Sequence, residues 1–352
     1  MEQSRIAVIG GDGIGPEVVE AGIRVLEAAN DAAERLNFTR FPWGCEYYLE
    51  HGRMMPEDGL DTLAGFDAIY LGAVGWPTVP DHVSLWNLLL PIRRTFDQYV
   101  NLRPARLLRG VESPLANPGN LDVTLVRENT EGEYSDSGGR MFGGTPHEVV
   151  IQESVFTRRG VERIVRYAYE EAKGRRGLLV GATKSNGISI TMPFFDEVFR
   201  EVGEEYPEVE ASLMHADALA ARLVLDPERF DVVVGSNLLG DILSEVTAAI
   251  CGAIGIAPSA NLNPEREHPS LFEPIHGSAP DIAGEGVANP AGAIWAGAML
   301  LEHVGYPQAG ARVLAALEET LAHGIKTQDL GGSATTEEVT DAVIERLRSP
   351  TV

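Results

Sequence analysis

The stretch Ile6-Ala7-Val8-Ile9-Gly10-Gly11-Asp12-Gly13-Ile14-Gly15-Pro16-Glu17 runs a short apolar strand straight into a cluster of glycines. Such a junction is either the turn that cradles a dinucleotide pyrophosphate or a plain strand-to-helix turn. A dinucleotide fingerprint needs glycines at i, i+2 and i+5, with an acid about 20 residues on at the end of the second strand. Counting from Gly11 and Gly13, the third position is Pro16; counting from Gly13 and Gly15, it is Val18. The second strand candidate, Phe38 to Trp43, also ends without an acid. The fingerprint fails. What remains is a turn followed by Pro16 in the first turn of a helix, where a missing N–H costs little.

Outward from this turn, apolar runs alternate with amphipathic stretches: Ile6 to Ile9, then Pro16 to Ala32, then Phe66 to Leu71. That alternation predicts strands joined by crossover helices, hence an α/β chain with a largely parallel sheet. Further strands are expected at Leu121 to Val126, Gly177 to Ala182 and Phe230 to Gly235, and helices at Gly160 to Lys173 and Phe194 to Glu205. Polar residues follow the strands, at the carboxyl ends where α/β sheets place ligands. The glycine-rich Ser135 to His147, followed by Glu148-Val149-Val150-Ile151-Gln152, reads as a protruding hairpin or arm suited to subunit pairing.

At 352 residues the chain has room for two lobes, and its 44% hydrophobic, 23% charged composition is that of a globular protein. The 52 acids against 28 bases give a formal charge of -24, which repels nucleic acid and anionic lipid. Neither nucleic acid nor membrane is expected as a partner. No run of 18 apolar residues and no signal-like start occurs, so a cytoplasmic location is expected. Cys45 and Cys251 lie far apart without CxxC spacing and read as small buried hydrophobes.

The chemistry concentrates in Asp231-Val232-Val233-Val234-Gly235-Ser236-Asn237-Leu238-Leu239-Gly240-Asp241-Ile242-Leu243-Ser244-Glu245. A buried strand leads to a helix expected to begin near Gly240, which puts Asp241 and Glu245 one turn apart on one face. Two carboxylates so placed suit a hard divalent ion, or are simply acids favoured at a helix start. Arg93, Arg103 and Arg127 stand beside or at the ends of apolar segments, where a guanidinium meets either an anion or a structural ion-pair partner. Lys184 directly follows a buried strand, as a base with a lowered pKa or a salt-bridged lysine would. Tyr134 is a proton donor or a half-buried aromatic. The segment from Phe272 to Gly284, with Ala288-Asn289-Pro290, is too polar for a core strand and too rich in glycine and proline for a helix. It reads as an ordered binding loop, with Asp281 an acid that accepts from ribose hydroxyls and repels a 2′-phosphate.

Taken together, GDGIGPE, NLRP, RENTEGEY, TKSN, NLLGDILSE and FEPIHGSAPDIAG resemble the β-decarboxylating dehydrogenases, the isocitrate and 3-isopropylmalate dehydrogenase family. Within it, SLWNLLLPIRRTFDQYVNLRP is most similar to the D-malate/tartrate branch. The resemblance implies an isopropylmalate dehydrogenase-like two-domain fold with a mixed, largely parallel sheet, not a standard Rossmann fold. Residues 1–98 and 250–352 would form the large, cofactor-side domain, and 99–249 the small domain with the arm and the dimer interface. It implies a homodimer with shared active sites acting on a small hydroxy diacid.

Carried over, Arg93, Arg103, Arg127 and Leu89 would contact substrate, and Tyr134 would be the acid. Asp241 and Glu245 would hold Mg²⁺ or Mn²⁺ with Asp217 of the other subunit, which would also contribute Lys184. NAD, favoured over NADP by Asp281 and Ile282, would lie against Gly13, Ile14, Glu273, His276, Gly277, Ser278, Ala279 and Asn289; K⁺ is a further candidate cation. The implied reaction is the oxidative decarboxylation of D-malate to pyruvate and CO₂, with tartrate as a second substrate.

Two departures from the family pattern stand out, one of them at two positions. Glu245 stands where an Asp is usual, and Leu88 and Pro91 make the stretch before Arg93 more apolar, leaving room for an alkyl malate. The rivals are therefore a 3-isopropylmalate or other 3-alkylmalate dehydrogenase, and a ligand-binding, non-catalytic subunit. Against the second, Tyr134, Lys184, Asp217 and Asp241 are all present.

Overall fold

The computed structural model describes residues 3–29, 35–252 and 254–348. In chain order the strands are β1 (Ser4–Gly11), β2 (Leu36–Phe41), β3 (Ala68–Ala73), β4 (Val100–Arg106), β5 (Asp122–Glu128) and β6 (Gly138–Met141). They continue with β7 (Val149–Gln152), β8 (Leu178–Thr183), β9 (Glu210–His215), β10 (Val232–Gly235), β11 (Pro258–Leu262) and β12 (Ser270–Pro274). The chain divides into two compact units. One comprises Met1–Gln98, Arg106–Ala116 and Ala248–Val352; the other comprises Tyr99–Ala105 and Asn117–Thr247. The segment Arg106–Ala116, expected in the small domain, thus packs with the first unit.

In the first unit the strand order is β2-β1-β3-β12-β11. β1 runs parallel to β2 and β3, β3 parallel to β12, and β11 antiparallel to β12, so the sheet is mixed. This is not the 3-2-1-4-5-6 order of a dinucleotide fold. Ile6, Ala7, Val8 and Ile9 are all buried, as a parallel strand covered on both faces requires. The helix Gly15–Ala28 follows with Pro16 in its first turn and packs Val18, Val19, Ile23, Val25 and Leu26 inward. Its expected end, Ala32, lies outside the described residues.

The glycine turn is dictated by crowding. Gly11 and Gly13 adopt left-handed φ of 72° and 59°, and a Cβ on either would sit 1.9 Å from the carbonyl oxygen of Ala73 or Ser278. Ala7, Ile9, Trp43, Met54, Leu63, Ile69, Leu71, Leu88, Ile92, Phe96 and Leu271 form one core. A helix unforeseen in the sequence, Ala291–His303, is buried on nearly every side. Being apolar all round, it shows no amphipathic period to read.

In the second unit the order is β4-β5-β10-β8-β9, with β5, β10, β8 and β9 mutually parallel. Val123, Leu125, Ala182, Leu219, Leu223, Phe230, Val233 and Leu243 close its core. The helix Arg158–Lys173 begins at Thr157, whose hydroxyl accepts from the Gly160 N–H at 3.0 Å. The expected arm is the hairpin β6–β7, antiparallel with Gly138 opposite Gln152 and exposed along both strands. Among the described residues no helix is long and apolar enough to cross a membrane. Cys45 and Cys251 are both buried and form no disulfide among the described residues, and burial pushes the Cys45 thiol up to about 12.

Candidate active site

The site of the second unit grows from the carboxyl ends of β5 and β10. Parallel pairing sets Gly235 opposite Arg127, and two residues later the helix Asn237–Ile250 begins. It starts a turn earlier than the sequence suggested, because the Gly240 N–H already donates to the Ser236 carbonyl at 2.8 Å. Glu133 serves the new helix end, accepting from the Leu238 N–H at 3.0 Å and from the Ser236 hydroxyl at 2.7 Å. Gly240 is needed for a different reason. A Cβ there would lie 2.7 Å from Arg127 Cβ and 3.1 Å from Arg127 Cα.

That close approach lets Asp241 become a focus. Its Oδ1 lies 2.5 Å from Arg127 Nη1 and 3.3 Å from Arg103 Nη1, and its Oδ2 accepts from the Tyr134 hydroxyl at 3.0 Å. Glu245, one turn on, is 3.5 Å from the same Arg103 nitrogen. Ser244 accepts from Arg103 Nη1 at 2.6 Å, and Asn101 Oδ1 accepts from Arg103 Nε at 2.7 Å. Arg127 also lies 5.4 Å from the centre of the Tyr134 ring. The structure therefore brings Arg103, Arg127, Tyr134, Asp241 and Glu245 into one cluster.

Electrostatics sharpens the roles. Burial holds the Tyr134 phenol above its ordinary range and the Asp241 carboxylate adds to this, while Arg127 and Arg103 oppose it. The phenol is thus a proton donor at neutral pH. Burial likewise raises Glu245, against the pull of Arg103.

Lys184 and Asp217 form a pair of their own. β8 and β9 run in register with Thr183 opposite His215, and Lys184 Nζ donates to Asp217 Oδ1 at 2.8 Å. That hydrogen bond holds the exposed Asp217 below the usual carboxylate range. Among the described residues no three His, Cys, Asp or Glu side chains converge as a metal site within one chain.

In the first unit the Ile14 N–H donates to the Ser278 carbonyl at 2.8 Å, joining the glycine turn to the His276-Gly277-Ser278-Ala279 loop. Ala279 has a positive φ of 38°. His276 Nδ1 lies 2.9 Å from the Gly277 carbonyl, and its enclosed Nε2 has no hydrogen-bond partner among the described residues. Burial pushes this imidazole below its ordinary pKa. Asp281 is exposed and Ile282 half-buried. Asn289 is occupied internally, its Oδ1 accepting from the Ala291 N–H at 3.0 Å and its amide nitrogen donating to Asp329 at 2.8 Å.

Glu273 is buried and accepts from Arg93 at 3.0 Å and from Asn261 at 2.7 Å, so its carboxylate holds Arg93. Leu89 is half-buried against the core, in the π-helical turn Leu85–Leu89. Leu88 is fully buried in that core, so packing by itself accounts for its apolar character, while Pro91 is half-buried.

Sequence reasoning missed Asn237, Gly240, Ser244 and the three glutamates of Glu128-Asn129-Thr130-Glu131-Gly132-Glu133-Tyr134. Glu128 accepts from the Thr130 and Glu131 N–H groups, and Glu131 from Thr157. Burial pushes Glu128 up to about 7. Three acids within six residues of so short a loop were the available signal, since each fixes backbone that positions Tyr134.

Residues 5–343 match the family model described as isocitrate/isopropylmalate dehydrogenase. The chain is 60% identical to the D-malate dehydrogenase [decarboxylating] of Escherichia coli (strain K12), over 97% of this chain and 98% of that protein. It is 54% identical to a probable tartrate dehydrogenase/decarboxylase of Bacillus subtilis (strain 168), over 99% of both. Among solved structures, isocitrate dehydrogenase from Methylococcus capsulatus matches with a TM-score of 0.89 at 34% identity, over 99% of this chain and 100% of that one. The chain is therefore an enzyme that belongs to the isocitrate/isopropylmalate dehydrogenase family, on the side of its D-malate and tartrate decarboxylating members.

Proposed function

We propose that the protein catalyses the NAD- and divalent-metal-dependent oxidative decarboxylation of a D-malate-type hydroxy diacid, D-malate giving pyruvate and CO₂, with tartrate also accepted. The carrying observation is the focus on Asp241 of two guanidinia and a protonated phenol. Asp241 and Glu245 offer oxygen donors on one helix face, which fits Mg²⁺ or Mn²⁺. The glycine turn stripped of Cβ atoms and the unpartnered His276 Nε2 fit a nicotinamide dinucleotide, with Asp281 disfavouring a 2′-phosphate. Bound together, the two groups supply a hydride acceptor and a positive charge beside the oxygen at C2.

The residues of the chain do the rest. Arg103 and Arg127 grip a carboxylate as planar forks, and Arg93 and Leu89 are proposed substrate contacts on the resemblance alone. Lys184 accepts the hydroxyl proton as C2 is oxidised. The carboxylate β to the new carbonyl leaves as CO₂, and Tyr134 delivers a proton to the carbon it leaves.

The exposed Phe142, Val149, Val150 and Ile151 of the arm suit a homodimer interface. In that dimer the exposed Lys184–Asp217 pair would serve the other subunit's site, so that Asp217 joins Asp241 and Glu245. A 3-alkylmalate is the alternative substrate class, and the burial of Leu88 in the core gives it no added support. Initial rates of NADH formation with D-malate, L- and meso-tartrate, 3-isopropylmalate and isocitrate, with Mn²⁺ and K⁺ present, test the proposal. Turnover with D-malate or tartrate is expected; turnover of only the alkylated or tricarboxylic substrates overturns it.

A further inference from the structure

The amino ends of β1, β3 and β12 meet in the first unit, since Ile6 stands opposite Ala68 and Ala68 opposite Ser270. There a cavity of 390 Å³ opens among Arg5, Asp67, Arg266, His268 and His303. It lies at the other end of these strands from the glycine turn and Ser278, about 20 Å away at roughly 3.3 Å per strand residue. None of the proposed catalytic or cofactor residues lines it.

Three observations distinguish this cavity from ordinary surface. The guanidinia of Arg5 and Arg266 make no ion pair among the described residues although the carboxylates of Asp67 and Glu267 line the same cavity, so both are available to an anion there.

Secondly, Arg266 sits at φ +59°, in the left-handed region that a non-glycine residue enters at a cost. The strain is imposed from below by Asn263, a fully enclosed side chain. The Arg266 N–H donates to the Asn263 carbonyl at 3.0 Å, and Asn263 Oδ1 accepts from the Glu267 N–H at 2.8 Å and the His268 N–H at 3.2 Å. Asn263 is itself tied to the Ser270 hydroxyl and the Asp97 carbonyl. The loop between β11 and β12 is thus held rigidly in a conformation that presents Arg266.

Thirdly, both imidazoles are fixed by aromatic neighbours, His268 at 6.0 Å from Phe96 and His303 at 5.3 Å from Phe272, ring centre to ring centre. The acids at the wall are Asp67, whose Oδ2 accepts from the Arg5 backbone N–H at 2.7 Å, and the exposed Glu267.

We propose that this cavity binds a metabolite-sized oxyanion, through a carboxylate or phosphate group held by Arg5 and Arg266 with the His268 and His303 rings as further hydrogen-bond partners. Guanidinium forks match both oxyanions, and the volume falls in the range of small-ligand sites.

The test is a titration of the full-length protein with inorganic phosphate and, separately, with malonate, followed through the histidine ring resonances in NMR. Saturable shifts of His268 and His303 are expected, and whichever anion saturates at lower concentration identifies the chemistry. Arg266→Gly keeps the left-handed backbone without strain, so it should fold with a Tm at or above that of the parent. It should weaken the anion about tenfold or more, and Arg5→Ala should do likewise, while turnover without added anion stays unchanged in both. Shifts that never saturate, that chloride reproduces at equal ionic strength, or that persist undiminished in both variants would overturn the proposal.

Discussion

Asn237 takes two hydrogen bonds from Arg127 on a single oxygen, Nε at 3.1 Å and Nη2 at 2.7 Å, while its amide nitrogen donates to the Glu131 carbonyl at 3.0 Å. One buried amide thus sets the plane of the guanidinium and anchors the loop that carries Tyr134. Asn237→Leu leaves two buried donors without their acceptor, at about 1–3 kcal/mol. We expect kcat/KM for the diacid to fall about tenfold to a hundredfold, mostly through KM. Asn237→Asp keeps the acceptor and should retain more of the affinity. Equal, wild-type KM values in both variants would refute the coupling.

Gly240→Ala separates helix propensity from site geometry. Alanine is favoured over glycine in a helix by about 1 kcal/mol, yet here its Cβ would overlap Arg127. Displacing a packed side chain and its backbone typically costs about 1–3 kcal/mol. The expected result is a lower Tm together with a KM for the diacid raised by about tenfold or more. A variant with unchanged KM and a higher Tm would contradict the close approach.

Tyr134→Phe removes the proton donor and should lower kcat by about a hundredfold or more, with Lys184→Met equally damaging. If Lys184 serves the neighbouring subunit, mixing the two inactive variants restores one intact site in each hybrid dimer. Random pairing then returns about a quarter of parental activity. Recovery of none, measured after subunit exchange has been verified, would place Lys184 in its own chain's site.

Stability should carry a trace of His303. Burial, with the Arg266 guanidinium adding to it, pushes this imidazole down from 6.5 to about 4. Between those values the unfolded chain binds a proton that the folded chain refuses. The contribution is therefore fully present above pH 6.5 and is lost as pH falls toward 4. The loss amounts to at most about 3 kcal/mol. His303→Leu should flatten the fall in denaturant midpoint between neutral pH and about pH 4.5; an unaltered slope would show that the ring is not held neutral.

The arm tests the proposed dimer. Phe142 and Val150 are each 68% exposed on a hairpin with no core of its own. Replacing both with Asp should leave the melting of the chain's own core intact but shift sedimentation toward the monomer. A species of unchanged mass would show that the hairpin pairs with nothing.

The strand β1, the failure of the dinucleotide fingerprint and the arm were legible because each is a local pattern. The apolar run of Ile6 to Ile9, Pro16 after the glycines, and the glycine-rich stretch before Val149 depend only on neighbouring residues. The helix Ala291–His303 was not legible, since burial on all sides erases the amphipathic period. Leu88 could not be assigned from the sequence because an apolar residue reads the same whether it lines a pocket or fills a core.

By itself the sequence determined which residue types were available and their spacing: Asp241 and Glu245 one turn apart, and arginines where apolar strands end. Only the tertiary structure decided that Arg103 and Arg127 turn on one carboxylate, that Glu273 is spent on Arg93, and that Lys184 pairs with Asp217. The reason is physical. Spacing along a helix or strand is fixed by backbone geometry, whereas the partner of a charge depends on which distant strand lies alongside, and that is settled by parallel pairing and packing of the core.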